Sequence, residues 1–256
     1  MLVKIKMKES EIKQIIKDYY KDFAEGYGDE YTTTLAGRYF LKEKTKHALK
    51  FAKFKKTDKI LDIGCANGYY IFYLNKLGYN ITGSDLSPEC INVCKKRAEE
   101  QRVKIDFVCT DVEDLKFKDN SFDGLISFST LRYLPDMKKA LSEIRRVVKP
   151  SGTILIDFPN KHSPWFLTFQ KLATKYKLPH DQKCDKYYSA NELKKIFKQA
   201  GFKKIEIKAI LFIARTVPKI FTPLCIVVDQ IGNNLPLINK LGGAILVKAT
   251  NEKNNS

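Results

Sequence analysis

A doubly wound α/β sheet is the fold class that three observations in this sequence predict. Lys59-Ile60-Leu61-Asp62-Ile63 is a short apolar run that breaks into Gly64-Cys65-Ala66-Asn67-Gly68 and then into Tyr69-Tyr70-Ile71-Phe72, the order strand, glycine loop, helix. A second apolar run ends at Asp85, 21 residues after Gly64. Short apolar runs then alternate with amphipathic ones: strands are expected near 59–63, 80–85, 104–110, 122–128 and 153–158, and helices near 67–77, 87–100 and 136–148. Such alternation builds a mainly parallel sheet. Its ligands bind beyond the carboxyl ends of the strands, where Gly64, Asp85, Asp111 and Ser127 all fall.

The flanking elements follow from the same patterns. Ile12, Ile15, Ile16, Tyr19, Tyr20 and Phe23 recur at helical spacing within Glu9 to Phe23, and a second helix is expected from about Leu35 to Phe54. Ser87-Pro88 reads as an N-cap with a first-turn proline, Asp136 caps the helix after it, and Ser189 caps a helix running to Gln199. Regularity stops after Asp157-Phe158, in Pro159 to Trp165 and the polar stretch holding His180, Asp181 and Cys184. Ala200 to Ile207 and Ala244 to Ala249 are late strands, and Leu211 to Gly243 is an unusually long connection between them. That connection is rich in Phe, Ile, Pro and Val, bracketed by Arg215, Lys219 and Asp229, and too short to span a bilayer. It is open to three readings: a lid over an apolar substrate, with the helix around Tyr19 to Phe23 as its other wall; a segment resting on lipid; or a hairpin packed on the sheet.

Composition bounds the rest. The 256 residues suit one core with a cap: residues 1–55 as a helical cap, 56–250 as the ligand-binding domain with the insertion 211–243, and 251–256 as a disordered tail. Met1 to Ser10 interleaves Lys4, Lys6 and Lys8 with single apolar residues and has no secretory pattern, so a cytoplasmic protein is expected. The six cysteines form no C-x-x-C pair; Cys90 and Cys94, one helical turn apart, read as packing residues, and no metal site is expected. The 46 basic against 29 acidic residues give a formal +17. That charge would draw nucleic acid, an anionic bilayer or acidic substrates, or it is no more than a lysine-rich composition, since the lysines run the whole length.

The glycine loop followed by an acid on the next strand points to a nucleoside cofactor, whose ribose hydroxyls a carboxylate can hold. A dinucleotide loop would place glycines where Ala66 and Tyr69 stand, and a triphosphate loop would follow Gly68 with Lys and Ser or Thr rather than Tyr69-Tyr70. The remaining pattern, Asp62-x-Gly64-x-Ala66-x-Gly68, resembles the first motif of the class I S-adenosylmethionine-dependent methyltransferases. The resemblance continues in chain order through Ile81 to Ser87, Phe107 to Leu115, Ser121 to Ser127, Val147 to Ile156 and the two late strands, most of residues 50 to 250.

It implies a Rossmann-like, mainly parallel seven-stranded sheet with an antiparallel last strand, an N-terminal helical cap and S-adenosylmethionine as cofactor. Asp62, Gly64, Cys65, Ala66 and Gly68 would form the loop under the methionine part of the cofactor. Asp85 with Leu86 would meet the ribose, and Asp111 and the Val112 amide the adenine, with Ser127 at the end of the fourth strand. Ala66 departs from the commoner glycine. Paired prolines after the fourth strand, the mark of the amino-methylating nucleic-acid branch, are absent from Ser127 to Pro135, so nucleic acid is not the expected substrate. Leu131-Arg132-Tyr133 is similar to the Leu-Arg-Asn of quinone C-methyltransferases, with tyrosine replacing asparagine. A small, apolar, lipid- or quinone-like acceptor is therefore expected, with peripheral membrane contact as a further expectation. An RNA-modifying enzyme and an inactive cofactor-binding subunit stand as alternatives. Tyr133, His162, His180 and Tyr187 are candidate bases or orienting groups by chemistry alone.

Overall fold

The computed structural model describes residues 9–24, 26, 28–134, 136–164, 186–210, 217, 219–235 and 238–252. Seven strands form one sheet: β1 (Lys59–Ile63), β2 (Asn80–Asp85), β3 (Phe107–Cys109), β4 (Phe122–Ser127), β5 (Val148–Pro159), β6 (Lys203–Ile210) and β7 (Ala244–Thr250). Their order is β3-β2-β1-β4-β5-β7-β6. The first five pair in parallel, and β7 runs antiparallel between β5 and β6, as expected of the last strand. The strand order reverses direction between β1 and β4, which opens a crevice at their carboxyl ends.

Eight helices occur among the described residues: α1 (Glu9–Phe23), α2 (Glu30–Thr33), α3 (Leu35–Ala52), α4 (Tyr69–Lys76), α5 (Pro88–Glu100), α6 (Met137–Val147), α7 (Ala190–Gln199) and α8 (Thr222–Asn234). The local signals act as read. Ser87 accepts from the Cys90 amide with Pro88 in the first turn, Asp136 accepts from the Lys138 amide, and Ser189 and Glu192 form a reciprocal capping box. One sheet face packs on α6 and α7 through Leu141, Ile144, Leu193 and Phe197. The other packs on α3, α4 and α5 through Ala48, Ala52, Ile71, Leu74 and Ile91. The result is three layers with an apolar core on each side of the sheet.

Three expectations shift. β3 is only Phe107–Cys109 rather than 104–110, because it lies at the sheet edge and pairs with β2 alone. β5 runs from Val148 to Pro159 rather than 153–158, with its register against β4 shifted between Phe122 and Gly124. Asn251, assigned by composition to the tail, is fully buried. Its side-chain amide donates to the carbonyls of Val148 (2.6 Å), Arg145 (2.9 Å) and Lys149 (3.3 Å), closing the end of α6 where carbonyls lack helical partners. The long connection forms α8 and a short 3-10 turn at Ile238–Leu241; residues 211–216, 218 and 236–237 of it, and 253–256 of the tail, lie outside the described residues.

Replacing Asn251 with Ala strands several buried carbonyls, so Asn251→Ala is expected to lower the unfolding free energy by about 2 kcal/mol in denaturant titration. An unchanged midpoint would return Asn251 to the tail.

Candidate active site

The chain leaves β1 through a loop that only certain residues can make. Gly64 and Gly68 adopt φ of +72° and +85°, and a Cβ on Gly64 would lie 2.1 Å from Thr130 Oγ1, so torsion and close approach both demand glycine there. Ala66 also has a positive φ, +48°, a conformation that disfavours a Cβ. Asp85 offsets that strain from the next strand. Its Oδ2 accepts from the Ala66 amide at 2.8 Å and its Oδ1 from the Ser87 amide at 2.9 Å, so one carboxylate sets the loop and the start of α5 together. Each oxygen keeps a second lone pair for a ligand. Burial raises the Asp85 pKa, and the backbone donors pull it partly back. Beneath the loop, the thiols of Cys65 and Cys94 lie 3.6 and 3.2 Å from the Ala66 carbonyl as its donors, and the adjacent Cys94 thiol, then burial, push the Cys65 pKa up. Cys90 is also buried, which lifts its thiol to about 12.

The other expected site residues divide. Asp111 Oδ1 accepts from the Glu113 amide at 2.9 Å, and its Oδ2 lies 2.8 Å from Lys13 Nζ on α1, which also pairs with Glu113 at 2.6 Å. The N-terminal helix is thus pinned at the carboxyl end of β3. The side chain of Val112 is in the core, the Leu86 carbonyl accepts from the Cys109 thiol at 3.7 Å, and Ser127, fully buried, donates to the Ile63 carbonyl at 2.8 Å, joining β4 to β1 with its hydroxyl. Asp62 is the most telling. It is 2% exposed, its backbone carbonyl accepts from the Ser84 hydroxyl at 3.2 Å, and its carboxyl pKa is raised well above the carboxylate range by burial and by the charge of Asp85.

Near Asp62 lies a cluster that sequence reasoning missed. Lys44 of α3, 2% exposed, places Nζ 2.5 Å from Asp157 Oδ2 on β5 and 3.3 Å from Ser129 Oγ, over the rings of Phe128, Tyr70 and Phe40 at 4.9, 5.4 and 5.7 Å. Asp157 also accepts from the Ser129 amide, which holds Ser129 at φ +59°. The next residue, Thr130, donates to the Gly64 carbonyl at 3.3 Å. Lys44 and Asp157 therefore fix the segment after β4 against the glycine loop. The signal was present as a lysine in the buried stripe Leu41, Thr45, Ala48, Ala52 of α3 and an aspartate in the apolar strand Ile154 to Phe158, two charges in patterns that should hold none.

Of the candidate bases, Tyr133 accepts from the Arg132 guanidinium, which also stacks on its ring at 4.6 Å. The segment bearing Tyr187 joins this turn through the Lys186 amide, which donates to the Arg132 carbonyl at 3.2 Å. His162 is exposed, its amide donating to Asn160 Oδ1 at 3.0 Å. These three sit on neighbouring segments at the carboxyl edge of the sheet. His180 and Cys184, and the side chains of Tyr19 and Phe23, lie outside the described residues.

Comparison with known proteins agrees with this geometry. A methyltransferase domain model matches residues 61–156, the stretch from β1 to β5. A demethylmenaquinone methyltransferase of Staphylococcus haemolyticus is 31% identical over 183 residues, 64% of this chain and 76% of that protein. A ubiquinone biosynthesis O-methyltransferase of Coxiella burnetii is 31% identical over 108 residues, 42% of this chain and 46% of that protein. Among solved structures, an S-adenosylmethionine-dependent methyltransferase of Thermotoga maritima superposes with a TM-score of 0.64 at 19% identity, covering 94% of this chain and 98% of that one. Phosphoethanolamine N-methyltransferase 2 of Haemonchus contortus, in complex with S-adenosyl-L-methionine, superposes with a TM-score of 0.62 at 19% identity over 91% of this chain and 60% of that one. With the glycine loop, the switch point and a relative matched over three quarters of its length in agreement, the chain belongs to the S-adenosylmethionine-dependent methyltransferase family.

Proposed function

We propose that this enzyme methylates a small, apolar, lipid- or quinone-like acceptor. The observation that carries the reading is the 31% identity across 76% of a demethylmenaquinone methyltransferase. It is supported by the apolar connection between β6 and β7, which leaves the sheet at the edge where the glycine loop lies.

The residues present fit S-adenosylmethionine. Its ammonium and sulfonium are cationic, and Asp62 is a buried carboxylate beside the loop whose ionised form is disfavoured by burial and by the charge of Asp85; burying a charge is costly unless it is paired. In this reading Asp62 holds the ammonium, the loop from Gly64 to Gly68 lies under the methionine part, Asp85 accepts the ribose hydroxyls on its remaining lone pairs, and Asp111 with the Val112 amide meets the adenine. When bound, the cofactor supplies a methyl on sulfur that leaves as a neutral thioether, so no acid is needed at the leaving group. The protein's work is orientation and exclusion of water: Lys44 and Asp157 keep the segment after β4 in place, and the apolar elements at the carboxyl edge exclude solvent. Tyr133, His162, His180 and Tyr187 are the groups that would orient the acceptor or take a proton from it.

Asp85→Ala removes a ribose acceptor and the partner of Ala66 together, so calorimetry with S-adenosylhomocysteine should show affinity weakened by about 2 to 4 kcal/mol; unchanged affinity would remove Asp85 from the site. The raised pKa of Asp62 sets a pH dependence with a definite sign. A cationic ligand favours the carboxylate, so binding releases a proton and affinity should rise with pH until the raised pKa is passed, then level off. Without ligand the sign reverses for stability. The folded state binds that proton more tightly than the unfolded chain, so the carboxylate destabilises the fold as pH climbs from the ordinary carboxylate range through the raised value. Asp62→Asn should therefore flatten the pH profile of cofactor affinity, lower that affinity at neutral pH, and raise the melting temperature of the free protein. An unaltered profile would show that Asp62 does not face the cofactor. For the acceptor, purified enzyme with methyl-labelled S-adenosylmethionine and fractionated cell extract is expected to label the solvent-extractable fraction. Label in RNA, or none in any fraction, would replace this reading with one of its two alternatives.

A further inference from the structure

Helix α8 is amphipathic in the wrong sense for a helix packed in a globular protein. Its polar Thr222 and Asp229 are 1% and 0% exposed, whereas Ile220, Phe221, Leu224, Val227, Val228 and Ile231 are 81%, 56%, 65%, 50%, 44% and 55% exposed. At 100° per residue the four within the helix, Leu224, Val227, Val228 and Ile231, fall within an arc of about 100°, and Ile220 and Phe221 lie just before its first turn. The inward acid is accounted for, since Asp229 Oδ2 accepts from the Tyr39 hydroxyl of α3 at 2.9 Å, so α8 is anchored by its polar face and turns its apolar face to solvent. A contiguous apolar surface of this kind marks a contact.

Topology says where that contact lies. β6 is antiparallel to β7 and β7 to β5, so β6 runs in the direction of β5. The connection carrying α8 therefore begins at the same sheet edge as the glycine loop and the segment after β4, on the α3 side that bears Lys44.

Charge chooses the occupant. The chain carries a formal +17, and the outward arc contains no acid. Lys219 is exposed just before it, Lys46 and Lys50 are exposed on the supporting helix α3, and Lys208 lies on the strand leading in. Two copies of such a chain repel, whereas an anionic lipid surface attracts it and offers hydrocarbon for the apolar arc. A helix of 13 residues lies in an interface rather than crossing it, and no helix among the described residues is long and apolar enough to span a membrane.

We infer that α8 is an interfacial helix that seats the sheet's carboxyl edge on an anionic bilayer, with Ile220, Phe221, Leu224, Val227, Val228 and Ile231 entering the lipid and the neighbouring lysines meeting its head groups. For its role in turnover the inference rests on the apolar-acceptor reading: an acceptor dissolved in the bilayer would enter the site without crossing water.

The test is co-sedimentation of the full chain with vesicles of phosphatidylcholine alone and of phosphatidylcholine with phosphatidylglycerol. The expected result is binding to the anionic vesicles that weakens with salt, and a loss of at least about tenfold in partitioning for Leu224→Glu with Ile231→Glu. Both side chains are exposed, so that variant should keep its melting temperature and its S-adenosylhomocysteine affinity. Absence of vesicle binding, or equal binding by the variant, would overturn the inference. So would a wild-type dimer in sedimentation velocity that the variant converts to monomer, because a second copy would then cover the arc. The acceptor reading fails separately. Labelling of a detergent-solubilised apolar extract without vesicle binding would leave that reading standing and remove the bilayer; vesicle binding with label only in water-soluble fractions would do the reverse.

Discussion

The carboxylate of Asp85 is the interaction on which the site depends. It ends β2 and accepts from the amides of Ala66 and Ser87, so the loop after β1 and the first turn of α5 are positioned by one group. The left-handed torsion of Ala66 persists because that hydrogen bond, with the two thiols on its carbonyl, holds the peptide from both sides. Hydrogen bonds on both sides of the Ala66 peptide preorganise the loop, which lowers the conformational entropy a ligand bound there would have to take up.

A second buried pair organises the opposite wall. Lys44 and Asp157 are both withdrawn from water, and such a pair contributes little net stability because desolvation offsets most of the attraction. Its effect is geometric: it fixes Ser129 and thereby Thr130 against Gly64. Asp62, between the two walls, is left with a charge unfavourable to the free fold and favourable to a cation.

The connection between β6 and β7 also departs from simple core packing. Core packing alone would turn the apolar face of α8 inward, yet the inward positions hold Thr222 and Asp229. The Tyr39–Asp229 hydrogen bond, which with burial raises the Tyr39 pKa, decides the rotation of the helix.

Local sequence determined the strands β1, β2 and β4, the caps at Ser87, Asp136 and Ser189, and the loop with its following acid, because each rests on short-range chemistry: apolar period, side-chain capping, glycine torsion. The family pattern supplied the antiparallel last strand. What only the tertiary structure decided depends on groups far apart in the chain. Asn251 reads as tail until Arg145 and Val148 bring their carbonyls to it. Lys44, a charge in the buried stripe of α3, finds its reason only when Asp157, 113 residues away, meets it. Ser127 is placed by sequence at the end of the fourth strand, but that its hydroxyl ties β4 to β1 depends on the Ile63 carbonyl, 64 residues away. In the connection that holds α8 the residues showed a long, apolar-rich segment, but which face of the helix points outward is a matter of its packing on α3, and no periodicity in a sequence carries the direction of the core.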